Sequence, residues 1–77
     1  MVKSMRHMDL NERAVIKTVA ANKELGRRIR DMGLLPGTEV LIVGRAPLLD
    51  PVALRLKGFT MALRNSEADH ITVETEG

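Results

Sequence analysis

The chain has 77 residues, 44% of them hydrophobic and 29% charged, and a formal net charge of +2. That length allows one domain burying about 60–65% of its unfolded surface, enough for a small barrel or sandwich and too little for a large enzyme cleft. The absence of cysteine excludes disulfides, thiolate zinc sites and cysteine nucleophiles, and a single aromatic, Phe59, leaves none of the stacking faces used by single-strand nucleic-acid platforms or polyproline grooves.

Residues 1–11 carry no apolar central run, so they read as a flexible polar leader rather than a secretory signal, with a single domain over 12–77. Nothing in the chain approaches the roughly 18 continuous apolar residues that span a bilayer, so no direct membrane insertion is expected. The first strand is predicted over Ala14 to Ala20, with Val15, Ile16 and Val19 as apolar contacts around Lys17. Asn22 then caps a short helix, with Glu24 favourably placed in its first turn. Gly26 costs that helix about 1 kcal/mol relative to alanine, so it must be held by packing a Leu25/Ile29/Met32 stripe on the sheet. Arg27, Arg28 and Arg30 point elsewhere. Gly33 suits a left-handed helix stop, Pro36-Gly37 suits the centre of a type II turn, and Thr38 to Val43 reads as the next strand.

Gly44 to Val52 is a loop bracketed by Pro47 and Pro51. The clearest tertiary signal follows. With a tight turn at Lys57-Gly58, Leu56 faces Phe59, Leu54 faces Met61 and Val52 faces Leu63, which puts six apolar side chains on one face of a hairpin. Asn65 to Asp69 has the composition of one helical turn, and His70 to Thr75 reads as a last strand with Ile71 and Val73 inward. The fold class is therefore mainly β: about five short strands in a small barrel, with a helical insertion after the first strand.

Catalysis has little to rest on. Ser4 and Ser66 lack a histidine partner in any recognisable motif, and no glycine-rich phosphate loop exists. His7 and His70 belong to no His/Asp/Glu set with ligand spacing, so neither a metal nor another cofactor is expected. The candidate binding residues are Arg27, Arg28 and Arg30, read as a solvated helix face, as a contact to an acidic protein surface or as a contact to nucleic-acid phosphate, and Leu48 and Leu49, read either as an exposed apolar loop tip or as a barrel cap. Asp50, before Pro51, has the composition of an Asx turn. The modest net charge weighs against nucleic acid as a partner, and weak self-association stays open.

Three segments taken together, Arg27-Arg28-Ile29-Arg30-Asp31-Met32-Gly33-Leu34-Leu35-Pro36-Gly37-Thr38-Glu39-Val40, then Ala46 to Val52, then Gly58 to Ala68, resemble the ferrous iron transport protein A (FeoA) family in order and spacing. The resemblance covers Glu12 to Glu74. Leu49 stands where the family usually has glycine before Asp-Pro, and Asp9 to Glu12 lacks the usual Pro-Gly before the first strand. The resemblance implies a Src-homology-3-like barrel and a cytoplasmic, non-catalytic accessory protein. It further implies, as partner, a membrane ferrous iron transporter with a cytosolic GTPase domain. A small nucleic-acid-binding barrel, and a detached regulatory domain like that of metal-dependent repressors, are the alternatives.

Overall fold

The computed structural model describes residues 1–45 and 50–76. Six strands form one antiparallel sheet: β1 (Val2–Ser4), β2 (Arg13–Val19), β3 (Glu39–Arg45), β4 (Val52–Leu56), β5 (Phe59–Leu63) and β6 (Ile71–Thr75). Helix α1 (Lys23–Asp31) lies between β2 and β3, and the short α2 (Asn65–Ala68) between β5 and β6. The strand order is β1-β6-β2-β3-β4-β5. Alternate residues of β2, β3, β4 and β6 are buried, and the same core takes in Ile29 of α1 and Ala68 of α2. One face of the sheet thus wraps the core and the other faces water.

The predicted hairpin has the predicted register, with Val52, Leu54 and Leu56 opposite Leu63, Met61 and Phe59. Its turn residues Lys57 and Gly58 both have positive φ, 49° and 85°. That is the signature of a type I′ turn, whose twist matches the strands. The apolar face is not uniformly covered, however. Val52, Leu54, Leu56 and Leu63 are buried, while Phe59 is 46% exposed. Phe59 lies on β5, a sheet edge, where no further strand of the described residues covers it.

The N-terminal residues depart most from the sequence reading. Rather than a flexible leader, Val2–Ser4 pair with β6, and Met5–His7 form a 3-10 turn capped by the Ser4 hydroxyl, which accepts the Arg6 N–H. Met5 and Met8, three apart, are both buried in the core. Polar residues fasten the segment: Lys3 Nζ donates to both carboxylate oxygens of Glu12 at 2.9 and 3.1 Å, and Arg45 donates to the carbonyls of Arg6 and Met8. Charge in a segment this short decorates a strand and turn that bury two methionines.

Asp9 to Glu12 makes its turn without Pro-Gly. Glu12 N–H donates to the Asp9 carbonyl at 3.1 Å, and Asn11, at φ 67°, supplies the left-handed residue, which asparagine tolerates better than most. The Glu12 carboxylate accepts the Asp9 N–H at 2.8 Å. That bond first, and then the Lys3 ammonium, hold its carboxyl below the usual range.

In β2, Ala14 and Ile16 face inward while Val15 faces solvent. Pairing with β6 shifts register between Ile16 and Thr18. This bulge at Lys17 lets Val19 return to the inner face, so the apolar trio expected there splits across the sheet.

Candidate partner interface

Helix α1 forms where its sequence says it should. The Asn22 side chain accepts the Leu25 N–H at 2.8 Å, and Ile29 is buried between half-buried Leu25 and Met32. At the other end, Gly33 N–H donates to Arg30 O at 2.9 Å and Leu34 N–H to Ile29 O at 3.2 Å. With Gly33 at φ 96° this is a Schellman stop. Leu35 to Thr38 closes as a type II turn around Pro36 and Gly37, and Gly37 N–H donates to Ile16 O at 2.7 Å. The turn therefore hangs on β2, which fixes the angle at which α1 leaves the sheet.

With the stripe inward, Arg27, Arg28 and Arg30 are exposed. They are not equivalent. Arg28 reaches the Glu67 carboxylate of α2 at 3.5 Å, yet its own side chain stays 67% exposed. Arg30 folds back along the helix, so that a Cβ added at Gly26 would lie 3.1 Å from its guanidinium and 3.4 Å from the Ala21 carbonyl. A side chain at position 26 would therefore make this exposed guanidinium shift by a few tenths of an ångström. Arg27 has no ion pair among the described residues. Between the helices lies an open groove of about 530 Å³ bordered by Leu25, Arg28, Arg64, Glu67 and His70.

The second predicted element of the interface, Leu48 and Leu49, lies outside the described residues. Its downstream flank is anchored: the Asp50 carboxylate accepts the Asn65 N–H at 2.8 Å, joining the loop to the start of α2 rather than to its own turn.

A further cationic surface was missed in reading the sequence. From Pro51 to Ser66 the chain carries Arg55, Lys57 and Arg64 and no acidic residue, three positive charges on a protein of net charge +2. The signal lay in the missing acids, since the three cations are too far apart to read as a run.

Among the described residues no group of three or more His, Cys, Asp or Glu side chains is arranged to hold a metal ion, and no helix is long and apolar enough to cross a membrane. The arrangement is one of exposed cations on a short helix packed against the sheet.

Fold and surface together define a small SH3-like β domain. The chain belongs to the FeoA domain family, which it matches over residues 3–75, and that family links it to ferrous iron transport. The FeoA-like protein of Clostridium acetobutylicum is 36% identical, with a TM-score of 0.91 over 99% of this chain and 88% of that one. Stenotrophomonas maltophilia FeoA, solved with zinc, is 31% identical, with a TM-score of 0.79 over 96% and 89%. It is described as an SH3 domain protein and a candidate ferrous iron transport activating factor. The Fe(2+) transport protein A/Fe(2+) transporter FeoB fusion protein of Porphyromonas gingivalis is 33% identical over 70 residues, which is 91% of this chain and 8% of that far longer protein.

Proposed function

We propose that this chain is a non-catalytic, cytoplasmic accessory protein that docks on the cytosolic, GTPase-bearing part of a membrane ferrous iron transporter and supports ferrous iron uptake. The observation that carries this reading is the P. gingivalis relative, in which a similar domain and the transporter are one polypeptide. Fusion holds the two at a high effective concentration, at which even a modest docking surface on the domain is occupied. The exposed arginine face of α1 and the Leu48-Leu49 loop are the surfaces proposed for it.

The two should fail differently in surface plasmon resonance against the purified cytosolic portion of the transporter. Charge reversal at Arg27 or Arg28 slows association and weakens its salt dependence, because exposed charges act on encounter. Truncating Leu48 and Leu49 to alanine speeds dissociation, at about 1–2 kcal/mol each, because apolar anchors set residence time. Unchanged kinetics for every variant would remove both surfaces from the interface, and no binding by the wild-type chain would overturn the reading itself.

A further inference from the structure

Among the described residues the sheet ends on two open edges, β1 and β5, and they are built differently. β1 is three residues long and runs straight into the 3-10 turn, with Lys3 pinned to Glu12. A short strand ended by a turn and carrying a lysine is a guarded edge. β5 has five residues, Phe59-Thr60-Met61-Ala62-Leu63, with no proline or charge within it and no register shift against β4.

Its free backbone groups can be named. In a hairpin closed by a two-residue turn, the flanking pair Leu56/Phe59 exchanges both hydrogen bonds, and so does every second pair after it. Met61 and Leu63 are therefore tied to Leu54 and Val52, and the N–H and C=O of Thr60 and Ala62 point away from β4. Both residues are exposed. Neither makes a hydrogen bond on that side to any described residue.

The two faces beside this edge differ in chemistry. On the core side stand Phe59, 46% exposed, and half-covered Met61. On the solvent side Arg55 lies opposite Thr60, and Arg64 follows Ala62 at the next outward position. Arg55 and Lys57 make no ion pair with any described residue.

We propose that the β5 edge is a docking site for an extended acidic segment of a partner protein, which adds to the sheet as a seventh strand. Its backbone would pair with Thr60 and Ala62. Its acidic side chains would lie on the outer face near Arg55 and Arg64, and its alternate apolar side chains beside Phe59 and Met61. The charge is complementary, and the edge asks for donors and acceptors in alternation. A peptide backbone supplies both, whereas phosphates supply acceptors only. This site adjoins the groove beside α1 through Arg64 and the α1 stop through Phe59, which lies near Gly33, but it does not use Arg27, Arg28 or Arg30 and does not depend on which protein supplies the strand.

The test uses the whole chain, labelled with 15N, and a blocked octapeptide of alternating glutamate and valine. The expected result is weak, salt-sensitive binding, with shifts concentrated at Arg55, Lys57 and Phe59 to Leu63 and with slowed amide exchange at Thr60 and Ala62. N-methylating every second peptide residue in one phase should weaken binding about tenfold, and in the opposite phase should leave it intact. Arg55→Glu should weaken it several-fold without changing the rest of the spectrum. Overturning results are unprotected Thr60 and Ala62 amides, equal loss in both N-methyl phases, or equal binding of a serine–valine peptide. A uridine oligomer that binds the same residues more tightly would assign the surface to nucleic acid instead. Concentration-dependent shifts at Thr60 and Ala62 without peptide would assign it to a second copy of the chain. Because no transporter is present, failure here leaves the proposed function standing, and success here does not establish it.

Discussion

Met5→Ala and Met8→Ala test whether the first eight residues belong to the folded core. The two side chains are 0% and 1% exposed, and they sit where a short strand and a 3-10 turn close one end of the sheet. Methionine-to-alanine changes at fully buried sites cost about 2–5 kcal/mol, combining lost transfer energy with the cavity left behind. A chain of this size has a total stability of roughly 4–12 kcal/mol, so either change removes a large share of it. With a urea slope of about 1 kcal/mol/M, the unfolding midpoint should fall by about 2 M or more. Far-UV circular dichroism is the suitable probe, because Phe59 is the single aromatic. Val2→Ala, at a site 51% exposed, should move the midpoint little and serves as the control. The two methionine variants need not add, since the side chains are three residues apart in one cluster. Midpoints within about 0.5 M of wild type for both would refute the reasoning and return the segment to a loosely attached leader.

Three other outcomes follow from local geometry. Lys57→Asn should stabilise the hairpin by about 0.5 kcal/mol, because asparagine tolerates the positive φ at that position better than lysine does; a lower melting temperature would contradict the type I′ assignment. Gly33→Ala should cost about 1–2 kcal/mol through backbone strain alone, since a Cβ there meets Leu56 and Phe59 only at ordinary contact distances of 3.8 and 4.0 Å; an unchanged melting temperature would place the helix stop elsewhere. Glu12 has a folded pKa below its unfolded value near 4.5, so its contribution is present at neutral pH and lost as pH falls from there through the lower folded value. The gap in melting temperature between wild type and Glu12→Gln should therefore shrink between pH 7 and pH 3, and a gap that widened would give the shift the opposite sign.

What the sequence showed and hid follows from how far apart the partners lie. The Val52–Leu63 hairpin was legible because two strands and their turn sit within twelve consecutive residues, and six apolar positions alternate in one register. The α1–turn–β3 unit was legible for the same reason, its cap, glycine stop and Pro-Gly turn each acting on near neighbours. The N-terminal strand was not, because its partner β6 is some seventy positions away and its core contribution is two methionines among charged residues. Phe59 fits the inward pattern of its strand, and its exposure depends on β5 being an edge, a property of strand order that local alternation does not carry. At the candidate site, the exposure of Arg27, Arg28 and Arg30 could be read from the apolar stripe. The Arg28–Glu67 pair could not, since it joins two helices with three strands between them in the chain.

Action on a ferrous iron transporter through the cationic face of α1 is the proposal with the widest consequence. Its most direct test is ferrous iron uptake by cells lacking the chain and complemented with wild type or with Arg27→Glu/Arg28→Glu/Arg30→Glu, after confirming that the variant keeps its fold and abundance. Uptake should fall on deletion, return with wild type and stay low with the triple variant. Uptake restored in full by the triple variant would contradict the assignment of this face, and uptake indifferent to deletion would contradict the function.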